Sequence, residues 1–487
     1  MPLVGNMYLM RDYQENPWDG FNAIREKYGD IVSLKMGVHS MVLVSNIKLI
    51  NEVLLEKGRI FANRPYFPRH DIIFGGSKEH SLALCDWSNV HKQRRKFCKR
   101  GVVPSKISAR NKLLEKIISE QTKLMIMEKW NQQKTMDQSV LLTKTDILLL
   151  TGDIFMKFLC NEKYSHDDDD YLKFNWNCDY IFYDINKSVL IDFMPYLTKF
   201  GFERNYLRQL RDITDCCRNF IEENIFEPRY QRHRKELELN EASDGGQVEI
   251  ELDNGQDYLD QIILEHLTGG TEMNLDDYKV GFSDLLAGHS AVSNILTKIL
   301  GHLALDEEAQ EMIFEEAVRT NILDLDHNPS LPVAEAALYE ALRLASSPIV
   351  PHIAREDTSI GEYFVPKNSA ILFNIYHINL SEQIWKEPRK FNLKRFLEQK
   401  VDQNTGQQTF RFTRPKFYNP FSIGLRQCLG LRMVESISIV ATSLICRKFK
   451  IKADDEDLVH RLLEPRGTVA LSPLEKCYKL QLETRSN

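Results

Sequence analysis

The 487-residue chain lacks an excess of charge of either sign, with 63 Lys and Arg against 69 Asp and Glu and a formal net charge of -6 at pH 7. A general nucleic-acid-binding protein normally shows a clear basic excess, so nucleic acid is excluded as a partner. No apolar run is long enough to span a bilayer. The chain is nevertheless 43% hydrophobic, which supports a large core and excludes a disordered or collagen-like chain.

The nine cysteines lack any regular pairing. They form no CxxC pair and no His/Cys cluster with zinc spacing, so neither a disulfide framework nor a structural zinc site is expected. This usage is typical of a reducing compartment. The cysteines lie at Cys85, Cys98, Cys160, Cys178, Cys216, Cys217, Cys428, Cys446 and Cys477.

Apolar periodicity predicts a mostly α-helical fold with a minor β region. Two short apolar runs around Gly37 predict a hairpin near the N-terminus. The acidic run 167–170 is interpreted as a solvated loop, and 394–418 shows little periodicity. Helices are predicted over 105–163, 260–317, 331–345 and from Cys428 to about Lys448, and short strands over 349–375 and in the tail around 465–467 and 472–473.

The charged, Gly/Asn/Asp-rich stretch 231–259 is the best candidate for a linker. Helical patterns resume on both sides of it and no repeat is visible, so it is interpreted as an exposed loop between helices. The sequence therefore predicts a single domain over residues 1–487.

The most informative segment runs from Asn419 to Gly430, where one cysteine stands on a Gly-rich loop that opens an apolar helix. Glycines permit the backbone to approach a flat partner closely. The helix N-terminus and Arg426 would favour a thiolate at Cys428, and such a thiolate can bind a metal axially. A structural cysteine on a turn is the alternative interpretation for a lone Cys.

This segment resembles the haem-thiolate signature F-x-x-G-x-R-x-C-x-G of the cytochrome P-450 family at every fixed position. The resemblance implies the cytochrome P-450 fold and haem b as the cofactor, with Cys428 as the iron ligand and Arg426 beside a propionate. The matching, haem-binding positions are Phe421, Gly424, Arg426, Cys428 and Gly430.

Two further segments resemble structural motifs of the family. Glu340 and Arg343 match its E-x-x-R pair on one helix face, and Arg395 matches the arginine that joins them in a buried triad. Leu393 replaces the proline usual in the second motif, which should alter the loop locally and leave Arg395 in its role.

The resemblance also assigns side chains to the haem propionates. His352 is assigned to one propionate, with Arg355 as the alternative. Trp87 and Arg94 are assigned to the haem by similarity to the family's C helix, with His91 and Arg95 left open because the spacing is imperfect. The surrounding basic string, Lys92 to Arg100, is interpreted as a solvated face that also docks an acidic electron donor.

The helix around Gly288 departs from the family pattern A-G-x-D/E-T-T. Ala287 and Gly288 match, whereas Ser290 replaces the acid and Ala291 replaces the threonine that orders water for proton delivery. Three interpretations follow: Ser290 or His289 relays protons with water, a substrate hydroxyl orders the water, or the enzyme rearranges a peroxide without using dioxygen. Catalytic roles are accordingly assigned to His289, Ser290 and Ala291.

The same helix turn, together with 420–424, is similar to the spook-type members of arthropods, which act early in ecdysteroid synthesis. This resemblance implies a monooxygenase that oxidises a sterol with dioxygen and NADPH-derived electrons. A haem-thiolate isomerase and a non-catalytic haem protein are the alternatives. The implied donor is NADPH-cytochrome P-450 reductase or an adrenodoxin-type protein.

The segment Pro2 to Asn6 resembles the end of the hinge that follows the family's membrane anchor. It predicts a catalytic domain from which the N-terminal membrane anchor is absent, with peripheral membrane contact. The predicted location is the cytosolic face of the endoplasmic reticulum, with mitochondria as the alternative.

Overall fold

A computed structural model describes residues 4–102, 108–132, 139–244, 257–269, 273–323, 330–401, 408–471 and 473–485. Helices form most of this part of the chain. Their bounds are α1 Pro17–Tyr28, α2 Ile47–Asn51, α3 Pro68–Ile73, α4 Asn89–Val102, α5 Ala109–Gln132, α6 Lys144–Cys160, α7 Asp169–Ile185, α8 Leu190–Phe193, α9 Arg204–Phe220, α10 Glu227–Asp244, α11 Tyr258–Leu267, α12 Leu275–Ala287, α13 His289–Leu305, α14 Glu307–Arg319, α15 Pro332–Ala345, α16 Ile375–Leu380, α17 Leu431–Lys448 and α18 Glu456–Leu463.

The strands form small sheets at the edges of the helical body. Their bounds are β1 Ile31–Met36, β2 His39–Val44, β3 Ser139–Leu142, β4 His352–Ile353, β5 Thr358–Ile360, β6 Tyr363–Val365, β7 Ala370–Phe373, β8 Leu397–Val401, β9 Gln408–Phe412, β10 Phe449–Ala453 and β11 Leu480–Thr484. One sheet has the order β1-β2-β7-β4, with β2 and β7 parallel, and another has the order β10-β11-β3. β5–β6 and β8–β9 are hairpins.

Helix α13 lies at the centre of the molecule. It packs against α6, α15, α17 and β10, and almost all of its residues are buried. A helix that is apolar on all sides is stable only inside a core. Two of its neighbours begin with residues that favour a helix N-terminus. Helix α6 has a capping box of Thr143 and Asp146, and α15 has a proline in its first position.

The mostly helical architecture with small sheets confirms the predicted fold class. The N-terminal hairpin, α15 and α17 are where the sequence predicted them. No helix in the described part of the chain is long and apolar enough to cross a membrane. Pro2, Leu3 and residues 245–256 of the linker candidate lie outside the described residues.

Four local predictions were wrong. Residues 231–244, predicted as part of an exposed loop, belong to helix α10. The acidic run is not wholly a loop, because Asp168 accepts hydrogen bonds from the amides of Asp170 and Tyr171 and so caps α7. The stretch 394–418 contains the hairpin β8–β9, and the tail strands are β10 and β11 with α18 between them. Strand β3 interrupts the predicted helical run 105–163, because it pairs with β11, which is more than 300 residues away in sequence.

Candidate active site

The segment 419–430 folds back on itself, so that its phenylalanine and its cysteine are joined through the backbone. The amide of Cys428 donates to the carbonyl oxygen of Phe421 at 3.0 Å. Gly424 has a φ of 75°, and a Cβ there would lie 2.2 Å from the carbonyl oxygen of Leu54. Both the left-handed backbone and this close approach exclude a side chain at position 424.

The Cys428 side chain is surrounded by protein but keeps accessible surface, so it lines an internal cleft. It is exposed, yet desolvation raises the pKa of its thiol, against the lowering effects of the Gly430 and Leu431 amides and of Arg95. The amides at the start of α17 and a nearby arginine therefore favour the thiolate as predicted, but the arginine is Arg95 rather than Arg426, and desolvation outweighs both in the protein alone. A bound metal cation would supply the missing stabilisation of a thiolate.

Three arginines, Arg64, Arg95 and Arg426, converge beside this cleft. Burial, together with repulsion from Arg426 and Arg95, holds the pKa of Arg64 well below its usual value. None of the three forms an ion pair with a carboxylate of the described residues. They are held instead by backbone carbonyl oxygens, Arg64 by Val350 at 2.7 Å, Arg95 by Gln427 at 2.6 Å and Arg426 by Ala62 at 2.9 Å.

Two buried histidines accompany the arginine cluster. His352 Nδ1 lies 2.6 Å from the carbonyl oxygen of Phe61, and its Nε2 is buried without a partner. Burial, with the charges of Arg64 and Arg426, holds the pKa of His352 well below its usual value. His91 Nδ1 lies 2.9 Å from Nη1 of Arg426. The ring of His352 is therefore neutral, with Nε2 available for hydrogen bonding. Burial and the charge of Arg426 lower the pKa of His91 to about 3, and both of its ring nitrogens already have partners.

These groups fit an iron porphyrin by their chemistry. A haem carries an iron, which a thiolate can ligate, and two propionate carboxylates, which need cations. The cleft offers the thiol of Cys428, the three guanidiniums of Arg64, Arg95 and Arg426, and the unpartnered Nε2 of His352. Unbalanced buried charges are costly, so anionic groups bound here would be stabilised.

Not every residue assigned to the propionates lies in this cluster. The guanidinium carbon of Arg426 lies 5.8 Å from the ring centroid of Trp87, so Trp87 borders the cluster. Arg94 is bound by Asp277 of α12, with Nε 2.8 Å from Oδ1. Arg355 is exposed. The structure thus brings Trp87 and His352 to the cluster, whereas Arg94 is engaged elsewhere.

The residues at the junction of α12 and α13 separate onto two faces. Ala287 is exposed and Gly288 and Ala291 are half-buried, although the helices are surrounded by protein. His289 and Ser290 are completely buried. The accessible face therefore carries only small side chains at these positions.

His289 belongs to the packed core between α6 and α7. Its Nδ1 lies 2.8 Å from the carbonyl oxygen of Leu286, and its ring packs against Phe155 and Phe174 at centroid distances of 6.2 and 5.8 Å. Burial lowers the pKa of His289. The Oγ of Ser290 is also buried and has no partner. Neither side chain lies on the accessible face.

The predicted triad is brought together on α15 and in the segment after it. Glu340 and Arg343 form a fully buried ion pair at 2.7 Å, and Nε of Arg395 lies 3.1 Å from Glu340 Oε1. Arg343 also donates to the carbonyl oxygens of Asn379 and Pro388 at 2.7 and 2.6 Å. This network fixes the segment 379–395 against α15.

Sequence reasoning missed Arg64 and did not choose Arg95. Arg95 lies four residues after His91, which places the two on one side of α4; that spacing was an available signal. Arg64 precedes a proline in an irregular segment, where no periodicity marks its direction. The remaining basic residues of α4, Lys92, Lys96, Lys99 and Arg100, are exposed, as expected of a solvated face.

Comparison with known proteins gives a consistent picture. The chain is 30% identical to "Cytochrome P450 307a1" of Drosophila melanogaster, covering 94% of this chain and 84% of that protein. It is 26% identical to the "Steroid 17-alpha-hydroxylase/17,20 lyase" of Ictalurus punctatus, covering 93% and 84%. A solved zebra fish cytochrome P450 with progesterone superposes with a TM-score of 0.70 at 23% identity, covering 96% of this chain and 99% of that one.

The family model for Cytochrome P450 matches residues 1–480. Together with the relatives, this match establishes the class of enzyme and its cofactor, and the structural likeness establishes the fold. The chain belongs to the cytochrome P450 family and is a monooxygenase that uses haem b, with electrons supplied indirectly from NADPH through a redox partner.

Proposed function

We propose that this monooxygenase oxidises a steroid, specifically a sterol precursor of the ecdysteroids, with Cys428 as the thiolate ligand of the iron. The observation that carries the ligand assignment is the accessible thiol of Cys428 beside three guanidiniums that form no ion pair with a carboxylate of the described residues. The names of the relatives support the substrate class.

The residues of the cleft have distinct roles in this proposal. Arg64, Arg95, Arg426 and His352 bind and orient the propionates, and Trp87 covers the Arg426 guanidinium. Phe421, Gly424 and Gly430 shape the loop that presents the sulfur. Haem, when bound, supplies the iron at which dioxygen is activated.

The face formed by Ala287, Gly288 and Ala291 is suited to a flat, rigid, apolar substrate. Small side chains let such a molecule approach the helix closely. Because they form no hydrogen bonds, the part of the substrate that lies against them needs no polar group. A sterol places a ring system against this face, and its 3-hydroxyl provides a polar group that Ala287, Gly288 and Ala291 lack.

The substrate proposal is tested with purified protein, haem, a reductase and 7-dehydrocholesterol. We expect NADPH-dependent formation of a product that gains one heavy oxygen atom when isotopically heavy dioxygen is used. A lipid of similar size that lacks the sterol ring system serves as the control and should give no product. Conversion of a peroxide without NADPH would instead support an isomerase, and binding without any product would support a non-catalytic protein.

The proposed electron donor is NADPH-cytochrome P450 reductase, bound at the exposed basic residues of α4. Replacing Lys92, Lys96 and Lys99 together by Gln should raise the KM for the reductase and leave the haem spectrum unchanged, because these side chains are solvated. The effect should shrink at high salt, since screening weakens steering between charged surfaces. A KM equal to that of the wild type would move the docking surface elsewhere.

The proposed location is the cytosolic face of the endoplasmic reticulum, where that reductase acts. Exposed apolar side chains on and beside α8 support peripheral contact with a bilayer. They are Leu190, Phe200, which is 84% exposed, and Phe202.

A further inference from the structure

The accessible face of the α12–α13 junction carries no hydroxyl or acid between Ala287 and Ala291. Ser290 and His289 are buried on the other side and pack in the core. Monooxygenation nevertheless consumes protons, since RH + O₂ + NADPH + H⁺ gives ROH + H₂O + NADP⁺. A proton-carrying group is therefore needed on the face that the small residues form.

Asp284 is the carboxylic acid on that face. It precedes Ala287, Gly288 and Ala291 by three, four and seven residues, and residues with these spacings line one side of a helix. Like Gly288 and Ala291, Asp284 is half-buried. The side chain of Asp284 thus lies on the same face as Ala287, Gly288 and Ala291, about one turn closer to the start of α12.

The carboxylate is held in place by the segment that precedes α4. Oδ2 of Asp284 accepts a hydrogen bond from the hydroxyl of Ser81 at 3.1 Å and another from the amide of Leu82. The carbonyl oxygen of Leu82 lies 3.0 Å from Nε2 of His91, which contacts Arg426. The backbone of Leu82 thus contacts Asp284 through its amide and His91 through its carbonyl oxygen, which fixes the carboxylate relative to the arginine cluster.

We infer that Asp284 holds and delivers protons at the Ala287–Ala291 face, replacing the acid and threonine that this helix lacks. In the balanced reaction a C–H bond of the substrate breaks, a C–O bond forms, and the second oxygen atom leaves as water. The two electrons come from NADPH through the redox partner. Asp284 releases a proton and regains one from water, so it undergoes no net change. The inference rests on the monooxygenase reaction but not on the substrate being a steroid.

The ionisation of Asp284 supports this role. Desolvation raises the pKa of its carboxyl to about 6, although the Leu82 amide, the Ser81 hydroxyl and Arg94 oppose the shift. The thiol of Cys98 on α4 also lies close enough to interact with the charge of Asp284, and Arg94 of the same helix is bound to Asp277. A group with a pKa near the working pH both holds and releases a proton readily.

The test uses the holoprotein with a reductase and compares Asp284→Asn with Asp284→Glu. Asn keeps an oxygen that can accept the Ser81 and Leu82 hydrogen bonds but cannot carry a proton. We expect product formed per NADPH to fall by roughly 10²-fold, with the electrons recovered as hydrogen peroxide, and we expect Glu to restore part of the coupling. Asp276→Asn, an exposed acid on the same helix, is the matched control and should behave as wild type.

A second measurement does not depend on turnover or on the substrate. Infrared difference spectra of the purified protein between pH 5 and pH 7, on either side of the carboxyl's pKa of about 6, should contain the C=O stretch of a carboxyl that titrates in this range. Burial also raises the pKa of Glu316, to about 7, so a second carboxyl band is expected in this range. The band assigned to Asp284 is the one that Asp284→Asn removes and Asp276→Asn keeps.

The outcomes separate this inference from the proposed function. If wild type converts no steroid, the steroid proposal fails, while the infrared signal and the ratio of NADPH to oxygen consumed without substrate still test Asp284. Consumption of one NADPH per oxygen yields peroxide and of two yields water, and Asp284→Asn should move the ratio toward one. An unchanged ratio, or an infrared difference spectrum of Asp284→Asn identical to that of wild type, would overturn the inference.

Discussion

Cys428→Ser should abolish both monooxygenase activity and the thiolate-type Soret band of the reduced carbon monoxide complex. A serine hydroxyl does not ionise as a thiol does and cannot supply the soft ligand. The loop itself should persist, because the hydrogen bond from the 428 amide to Phe421 involves only backbone atoms. The measurements are the carbon monoxide difference spectrum, bound haem and product formation.

Cys216→Ser is the matched control for this variant. Cys216 is half-buried on α9, away from the loop, and its replacement should leave the spectrum unchanged. Two other thiols, Cys85 and Cys98, lie close enough to Arg95 to influence its charge. If the thiolate-type band survives in Cys428→Ser, the ligand is one of these, and the assignment of Cys428 is wrong.

Arg343→Ala should lower the free energy of unfolding by about 3–5 kcal/mol, the usual cost of breaking a buried ion pair. The substitution removes the partner of Glu340, and both side chains are completely buried. It also leaves the carbonyl oxygens of Asn379 and Pro388 without their donor. Denaturant unfolding, followed by circular dichroism, measures the change.

The control for this prediction is the exposed ion pair between Glu308 and Lys394. Glu308→Gln should leave the free energy of unfolding essentially unchanged, because solvent screens exposed pairs. Arg343→Lys should not rescue the loss, since Arg343 binds Glu340 and two carbonyl oxygens at once through its planar fork. A cost for Arg343→Ala as small as that of Glu308→Gln would contradict the structural role of the triad.

The local elements that the sequence predicted are those whose signals are short in range. The β1–β2 hairpin is marked by two apolar runs around Gly37, and α15 and α17 by continuous apolar periodicity. The sequence missed β3, β8 and β9 and misplaced the tail strands β10 and β11. β3 exists because it pairs with β11, and no local pattern records a partner at that distance.

In the candidate site, too, the sequence predicted the features that depend on local contacts and missed those that depend on distant ones. The motif around Cys428 could be recognised in the sequence because its glycines and its cysteine act within one loop, where Gly424 is needed for the backbone turn itself. The direction of a charged side chain is different. Arg94 and Arg95 are adjacent, yet one binds Asp277 and the other reaches Gln427.

By itself, then, the sequence determined the fold class, the cysteine loop and the small residues Ala287, Gly288 and Ala291. Only the tertiary structure decided that His289 and Ser290 lie in the core, that Arg64 joins the arginine cluster, and that Asp284 lies on the accessible face. The physical reason is that a helix fixes which residues share a side, whereas the packing of α6, α7 and the segment before α4 decides which side is buried and which faces the cleft.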